Sequence, residues 1–290
     1  MFRLRLETES PGSERSAALL RTLRRIPPFH PVATRLIRMA SVETTPLVEI
    51  ANLIRSDAAF SAEVLRLANS PLFGMMREVS SIMQAVALLG LQRVRALAST
   101  VALRQFLARV AHARAARLCW RHNLATALLA EEFASAALLD RDTAYTCGLM
   151  HDLGRLALLT LDPDAMEAIV DRADSAGADP GELERHAYGA SHTEAGAWIM
   201  EHWDFPPLLR SVACAHHRPP APPFEIPAAV GLACRVADAL GFQFAGPAPD
   251  WEWEQWKPLL PQAAATLLDR GRQPLLELVA IRINAFECAM

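Results

Sequence analysis

The sequence Gly-Leu-Met-His-Asp-Leu-Gly-Arg occupies residues 148–155 and sets an adjacent histidine and aspartate inside an otherwise apolar helical segment. On a regular helix, neighbouring side chains point about 100° apart, so His151 and Asp152 would not face the same point. The flanking Gly148 and Gly154 predict a local irregularity that could turn both side chains toward one ion. A helix bundle can aim such side chains from several helices into one interior pocket.

Helical signals extend in both directions from this segment. Ala, Leu, Arg and Glu are abundant, and apolar residues recur at intervals of three and four. Stretches in which β-branched and polar residues alternate, as in a strand, are scarce. Helices are predicted at residues 31–39, 46–54, 58–68, 80–89, 91–106, 119–133, 142–159, 162–169, 182–188, 193–203, 208–216 and 227–240, with a helical tail to about residue 286. We therefore predict an all-α protein. Its predicted parts are a tail at 1–16, an N-terminal helical subdomain at 17–110, a second helical subdomain at 111–242, and a tryptophan-containing helical extension at 243–290.

Composition narrows the functional classes. The chain has 290 residues, of which 52% are hydrophobic and 21% are charged, and its formal net charge is −3. This balance is typical of a globular protein and gives no overall attraction to nucleic acid, so we expect no nucleic-acid partner. No apolar run reaches the roughly 20 residues that cross a bilayer, and no secretory signal is visible. Five widely spaced cysteines without a CxxC motif indicate a reducing compartment. We expect a cytoplasmic protein with no membrane partner.

The histidines and two aspartates form a set with the chemistry of a metal site. The candidate ligands, each in a helical pattern or at a predicted helix end, are His122, His151, Asp152, His192, His216, His217 and Asp238. Neutral imidazoles together with carboxylates suit a divalent Fe, Mn, Zn or Ni ion. An ion of this kind can generate a hydroxide nucleophile near neutral pH.

A structural role for the same residues stays open at this point. His151 and Asp152 could cap helices and complete a buried hydrogen-bond network, because buried polar groups persist only when they are paired. His122 and Asp238 would then share that role. His192 could be an N-terminal polar residue of its helix. The adjacent His216 and His217 face different directions on a helix, so one would point inward and the other to solvent.

The ordered motifs resemble a known family. Residues 148–155 resemble the signature of the HD superfamily of metal-dependent phosphohydrolases, and the ordered histidines look like the ligand series of its HD-GYP branch, which hydrolyses cyclic di-GMP. Residues 26–28, 54–62, 65–70, 85–90, 203–206 and 216–219 are similar to the HDOD pattern, an HD-related output domain. The resemblance covers roughly residues 17–242. It implies an N-terminal helical bundle packed on an HD-like helical bundle, and a bacterial regulatory output module that is generally regarded as non-catalytic.

The sequence departs from the hydrolase pattern at two places. Arg155 stands where a lysine usually follows Asp-x-Gly, and Arg218-Pro219-Pro220 stands where an acidic residue and a Gly-Tyr-Pro element are expected. We therefore expect a signalling module that docks a partner protein, such as a cyclic di-GMP enzyme or a kinase component. The alternative is a metal-dependent phosphohydrolase of nucleotides, in which two metals activate a bridging water and Asp152 and Arg155 are catalytic.

Two further groups have simple structural interpretations. The arginines at 93, 95, 104 and 109 are predicted to form a solvated helix surface, although they could line a basic face for a nucleotide. Trp251, Trp253 and Trp256 are predicted to form a packing lid, with a partner contact as the alternative.

Overall fold

The computed structural model describes residues 23–24, 26, 28–39, 45–70, 78–219, 221–251, 253–254 and 256–288. Every regular element in these residues is helical, which confirms the predicted all-α class. The predicted tail at 1–16, Pro27 and Pro220 lie outside the described residues.

The N-terminal bundle consists of α1 (Pro31–Met39), α2 (Leu47–Arg55), α3 (Ala58–Ala68) and α4 (Ile82–Leu107). The first three helices pack against α4. Asp57 begins α3 because its side chain accepts a hydrogen bond from the backbone N–H of Phe60 at 2.9 Å. The two helices predicted at 80–89 and 91–106 form one bent helix, and its bend is at Gly90, whose φ of 75° is outside the helical region.

The segment from Ile82 to Val110 is long and apolar enough to cross a membrane by length and composition alone. Its side chains are mostly buried inside the protein, as in the core helix of a soluble domain. The segment is not an uninterrupted apolar run, because it includes Arg93, Arg95 and Arg104. Burial against α2, α3 and α6 accounts for this composition.

The C-terminal bundle contains the predicted site. Its helices are α5 (Arg114–Ala136), α6 (Arg141–Met150), α7 (Leu153–Leu161), α8 (Pro163–Ala176), α9 (Pro180–Tyr188), α10 (His192–His202), α11 (Pro207–Ala215) and α12 (Ile226–Ala237). Helix α5 lies at the centre, where it packs against α6, α7, α8 and α12. The α4 helix of the N-terminal bundle packs on α6, so the two bundles share one continuous core.

An aromatic cluster joins the two bundles on another side. Phe29 and Phe106 of the N-terminal bundle contact Trp203 and Phe205, which follow α10, with ring centroids 6.0 to 6.3 Å apart. Arg38 also donates a hydrogen bond to the backbone oxygen of Trp203 at 2.6 Å. The residues that resemble the HDOD pattern at 203–206 therefore form part of the contact between bundles.

The C-terminal extension covers one side of α5. It contains α13 (Gln262–Asp269) and α14 (Arg272–Cys288), and Phe286 of α14 packs on Trp120 at a centroid distance of 5.3 Å. Trp253 is buried and makes edge-to-face contacts with Trp251 at 5.1 Å and Trp256 at 5.4 Å. This geometry agrees with the predicted packing role of the tryptophans.

A buried carboxylate, Glu131 of α5, ties all three parts of the chain together. Arg93 of α4 lies 2.5 Å from one of its oxygens, Arg282 of α14 lies 2.6 Å from the other, and Arg141 of α6 also pairs with it. Burial alone would raise the pKa of Glu131, but Arg282 and Arg93 outweigh it and hold that pKa at about 2. The prediction that Arg93 lies on a solvated surface is wrong, because its side chain is largely enclosed and held in long-range ion pairs.

The two glycines that flank His151 and Asp152 have a different role from the predicted one. A Cβ atom on Gly148 would lie 2.8 Å from the Ala127 Cα atom of α5, and one on Gly154 would lie 2.0 Å from the backbone oxygen of His192. They permit close crossings of α6 with α5 and of α7 with α10. The chain turns instead at His151 and Asp152, which lie between α6 and α7.

Replacing Glu131 by Gln should destabilise the protein by about 3 kcal/mol at neutral pH, because it leaves the largely enclosed Arg93 and Arg282 without their buried counter-charge. Urea unfolding measures the change. Glu132→Gln is the matched control: Glu132 is the next residue of α5, is less buried, and lies 3.5 Å from Arg282. The free energy of unfolding of Glu132→Gln should be lower than that of wild type by less than about 1 kcal/mol. Equal losses in the two variants would contradict the special role of Glu131.

The penalty of Glu131→Gln should depend on pH. The native pKa of about 2 lies below the ordinary value of 4.5, so the stabilisation by the Glu131 carboxylate is complete above pH 4.5. It is lost as the pH falls toward 2. Unfolding curves at pH 7, 5 and 3.5 should show the difference between wild type and variant shrinking below pH 4.5. A constant difference would mean that the carboxylate charge contributes nothing.

Replacing Gly154 by Ala should destabilise the protein by about 2 kcal/mol or more, because its Cβ atom would collide with the backbone of α10. Gly196, on the facing helix, is the matched control. A Cβ atom there meets the Gly154 nitrogen at 3.4 Å and the Ala213 Cβ at 3.5 Å, which is ordinary contact. Thermal unfolding of Gly196→Ala should therefore stay within about 1 kcal/mol of wild type.

Candidate metal centre

The turn between α6 and α7 places His151 and Asp152 at the centre of the C-terminal bundle, where both are buried. Other helices direct the remaining candidates toward this turn. His122 comes from the middle of α5, His192 begins α10, and His216 and His217 follow the end of α11. Asp238 follows α12. The structure thus brings the seven predicted site residues into one continuous cluster.

His122 and His151 face each other through their Nε2 atoms, which are 3.1 Å apart. The Nδ1 atom of His151 donates to the backbone oxygen of Gly148 at 2.6 Å, and Nδ1 of His122 lies 3.1 Å from the backbone oxygen of Phe242. Because a carbonyl oxygen only accepts, each Nδ1 carries a proton and each neutral ring has its lone pair on Nε2. When both rings are neutral, the two facing lone pairs need a cation between them; when His122 carries a second proton, its Nε2–H donates to His151.

The group His151, Asp152 and His216 lies deepest. The Asp152 Oδ1 atom is 3.3 Å from His216 Nε2, and Asp152 Oδ2 is 4.0 Å from His151 Nε2. Asp152 Oδ1 and His216 Nε2 are both buried, and neither makes a hydrogen bond within the described part of the chain. Nδ1 of His216 lies near the backbone oxygens of Val212 and Ala213, which leaves Nε2 as its free lone pair. A cation would satisfy both orphaned atoms.

His192 and His217 complete the cluster on the outer side. Their Nε2 atoms are 2.8 Å apart, and Nε2 of His192 is 3.6 Å from Asp152 Oδ1. Nδ1 of His192 lies 2.6 Å from a carboxylate oxygen of Glu184, which fixes the orientation of the ring. His216 is buried and His217 is more exposed, as expected for adjacent residues that face different directions.

Asp238 lies behind His122 and away from the interior of the cluster. Its Oδ1 atom is 3.2 Å from Nδ1 of His122, the nitrogen that faces away from His151. In this position the carboxylate orients His122 and increases its basicity. Direct ligation by Asp238 stays a prediction.

Arg155 is buried inside the cluster, and each nitrogen of its guanidinium faces a protein group. Its Nη1 pairs with Asp152, and its Nε donates to Glu184 at 2.8 Å. Nη2 lies 2.8 Å from Nδ1 and 3.3 Å from Nε2 of His192. The ring of Phe244 covers the guanidinium at 4.5 Å. Each of the three nitrogens of Arg155 therefore has a protein group next to it, which accounts for three of its five N–H bonds.

These contacts shift the protonation equilibria of the cluster. Burial would raise the pKa values of Asp152 and Glu184, but Arg155 outweighs it and holds both pKa values below their ordinary range, at about 2 for Glu184. Burial lowers the pKa of His151, His192 and His217, so these imidazoles are neutral. For His122 the Asp238 carboxylate outweighs burial and raises the pKa. The ionised Asp152 and the neutral His151, His192 and His217 are in the protonation states that metal ligation requires, whereas His122 would have to release a proton to act as a ligand.

Two residues of the cluster were not predicted from the sequence. Cys234 of α12, expected to be only a small apolar residue, has its sulfur 3.7 Å from Nε2 of His122. It precedes Asp238 by four residues, so a shared helix face was the available signal. Glu184 of α9 is fully buried, and the sequence gives no signal for it because its partners, Arg155 and His192, come from other helices.

Three groups of donor atoms could each hold a metal ion, since the atoms of each group lie within 4.8 Å of one another. The groups are His122, His151 and Cys234; His151, Asp152 and His216; and His192, His216 and His217. A cleft of about 430 Å³ leads from the surface to this region and is lined by His122, Arg155, His192, His217 and Asp238 among others. A small molecule could therefore reach the outer side of the cluster.

Several solved structures share this fold. An HDOD domain protein of unknown function from Geobacter sulfurreducens matches with a TM-score of 0.77 at 22% identity, over 93% of this chain and 99% of that one. A protein of Shewanella amazonensis SB2B named "Putative phosphohydrolase" matches with a TM-score of 0.66 at 24% identity, over 91% and 97%. A protein of Marinobacter aquaeolei VT8 named "Putative signal transduction protein" matches with a TM-score of 0.69 at 18% identity, over 97% and 66%.

Sequence comparison gives the family. A curated protein of Treponema pallidum strain Nichols, named "Uncharacterized protein", is 28% identical over 180 residues, which are 61% of this chain and 34% of that protein. The chain thus spans about a third of the length of this relative. The family model for the HDOD domain matches residues 26–219, which is more than half of the chain. With this match and a helical fold shared with an HDOD protein, the chain belongs to the HDOD domain family.

Proposed function

We propose that this protein is a non-catalytic regulatory module of bacterial signal transduction, whose His/Asp cluster binds one divalent metal ion. The observation that carries the proposal is the position of Arg155. A permanently charged guanidinium is buried among the candidate ligands and donates to Asp152 and Glu184. The regulatory role agrees with the name of the Marinobacter aquaeolei protein that shares the fold.

The engagement of Arg155 argues against hydrolysis of a phosphodiester. An arginine that clamps a substrate phosphate directs two parallel N–H bonds at it, whereas each nitrogen of Arg155 already faces Asp152, Glu184 or His192. Its charge also neutralises part of the carboxylate charge that would hold two metals. Within the described residues, Asp152, Glu184 and Asp238 with Arg155 carry two net negative charges when His122 is neutral, enough to balance one divalent ion.

The orphaned atoms favour a position for that ion. Asp152 Oδ1 and His216 Nε2 both point into the cluster without a hydrogen-bond partner in the described chain, and His151 Nε2 lies beside them. A ligand set of two imidazoles and a carboxylate suits Fe, Mn, Zn or Ni, because each of these ions binds both imidazole nitrogen and carboxylate oxygen. The ion would bind the deepest of the three groups and hold α6, α7 and α11 together.

The alternative function is a metal-dependent phosphohydrolase of nucleotides, with Asp152 and Arg155 in catalytic roles. One observation favours it: the 430 Å³ cleft gives a small molecule access to His192, His217 and Asp238. The name of the Shewanella amazonensis protein with this fold agrees with that chemistry. Two ions at separate donor groups would be required, with a water molecule between them.

A regulatory module needs a partner surface. We infer a signalling protein as the partner, either a cyclic di-GMP enzyme or a kinase, in the bacterial cytoplasm. Exposed apolar side chains on the N-terminal bundle support a protein contact: Leu47 and Val48 of α2 and Leu88 of α4 are each at least 45% exposed. No such apolar contact is needed for a small-molecule substrate.

Replacing Asp152 by Asn tests the metal site. Wild-type protein purified without an affinity tag should contain about one divalent ion per chain by elemental analysis, and Asp152→Asn should lose it because the amide is a weaker ligand. His186→Ala is the matched control, because His186 is exposed and outside the cluster. It should keep the full metal content. Circular dichroism distinguishes metal loss from unfolding, and His216→Gln serves as the second variant.

Activity distinguishes the two functions. Metal-loaded wild type with added Mn²⁺ or Fe²⁺ should not hydrolyse cyclic di-GMP or bis(p-nitrophenyl) phosphate above the level of Asp152→Asn. Two ions per chain together with turnover that Asp152→Asn abolishes would establish the phosphohydrolase. A folded wild type that takes up no ion would leave the cluster a purely structural network and overturn the metal proposal.

A further inference from the structure

A second cavity lies between the two bundles and contains none of the candidate metal ligands. Its volume is about 270 Å³. Ile37 of α1 and Arg95 of α4 line it from the N-terminal bundle, and Cys147 of α6 lines it from the C-terminal bundle. The segment 206–209 at the start of α11 closes another side. The cavity is therefore built from both bundles and is large enough for a small organic molecule.

Arg95 is the unusual group in this cavity. It is only 4% exposed, and no carboxylate within the described residues forms an ion pair with it. Its Nη2 donates to the Thr143 hydroxyl at 3.1 Å, while its Nε and Nη1 atoms are buried without any acceptor in the described part of the chain. A buried guanidinium with unused donors is costly unless an acceptor from outside completes it.

A neighbouring arginine on the same helix has the counter-ions that Arg95 lacks. Two residues earlier on the same helix, Arg93 pairs with both Glu131 and Asp142. Asp140 and Asp142 act on Arg95 only through longer-range attraction, and burial lowers the pKa of its guanidinium. Carboxylates are thus present nearby, yet they leave the cavity side of Arg95 open. The prediction that Arg95 lies on a solvated surface is wrong, because α6 and α11 enclose it.

The other residues that line the cavity indicate which kind of ligand would fit. Besides Arg95, the walls are mainly aliphatic or proline side chains, from Ile37, Pro206, Pro207, Leu208 and Leu209. The Oε1 atom of Gln92 is a buried acceptor without a donor among the described residues. We propose that this cavity binds a small organic anion, whose carboxylate or phosphate oxygens accept from Arg95 and whose apolar body packs on the prolines and leucines.

The position of the cavity gives such a ligand contact with both bundles. On one side it meets α1 and α4, and on the other it meets α6 and the first turn of α11. Helix α6 continues from Cys147 to Met150, directly before His151, and α11 runs from Pro207 to Ala215, directly before His216. The ligand is therefore expected to slow local opening of these two helices, which is measurable without any variant.

Binding of three matched aromatic probes tests the proposal. Benzoate and phenyl phosphate carry the two oxyanions on the same apolar ring, and benzamide is the neutral isostere. By calorimetry and ligand-observed NMR, at least one anion should bind to wild type at least about tenfold tighter than benzamide, the difference expected for one charge-assisted hydrogen bond. Whichever anion binds tighter identifies the head group. No preference of either anion over benzamide would overturn the proposal.

Arg95→Gln should weaken the binding of the preferred anion about tenfold or more while the protein stays folded, because the change removes an unpaired buried charge. Arg109→Gln is the matched control, since Arg109 is an exposed arginine just beyond α4 and outside the cavity. It should bind like wild type. Equal weakening in both variants would show that the anion is attracted by surface charge only and would overturn the cavity site.

Hydrogen exchange on wild-type protein keeps the test independent of the folding of Arg95→Gln. The preferred anion should slow amide exchange in residues 141–150 and 206–215, which line the cavity, and leave α8 unchanged. Binding without protection of those two segments, or with equal protection of α8, would place the anion elsewhere and overturn the proposal.

Discussion

Asp152 and Glu184 are carboxylates buried on different elements, and the guanidinium of Arg155 between them is what allows both to remain ionised. Burial opposes a charged carboxylate, so without a fixed cation each would take up a proton or draw in water. With the cation in place, Asp152 can face the imidazoles of His192 and His216, and Glu184 can orient the His192 ring. The geometry of the cluster follows from this one ion-pair network, which also sets the limit on how much further positive charge the cluster accepts.

Two buried arginines and one half-buried arginine show how the protein uses the same side chain in different ways. Arg93 has its carboxylates, Glu131 and Asp142, and serves to join the bundles. Arg155 also has its carboxylates and completes the cluster. Arg95 has only the Thr143 hydroxyl among the described residues. Removal from water is costly for all three guanidinium groups. Carboxylates offset that cost for Arg93 and Arg155, whereas Arg95 keeps N–H donors that an external acceptor could fill.

Local features were readable from the sequence, whereas long-range pairs were not. The bounds of α1 and α3 agree with the predicted ranges because proline and aspartate set the helix starts. The seven candidate residues were identified from their order along the chain. Glu184, Cys234 and the burial of Arg93 and Arg95 were missed, because each depends on which helix packs opposite, and helical periodicity does not specify that. The role of Gly154 was misread for the same reason, since the close crossing with α10 appears only in three dimensions.

The pairing of Glu131 with Arg282 has a consequence for where this protein can be divided. The family match ends at residue 219, yet Cys234 and Asp238 of the cluster and the α14 partner of Glu131 come later in the chain. A fragment ending at residue 219 would retain the matched region but uncover the faces of α5 and α6 that α12 and α14 protect. The segment that matches the family is thus smaller than the segment that packs into one core. A fragment designed from the family match alone would end inside the hydrophobic core.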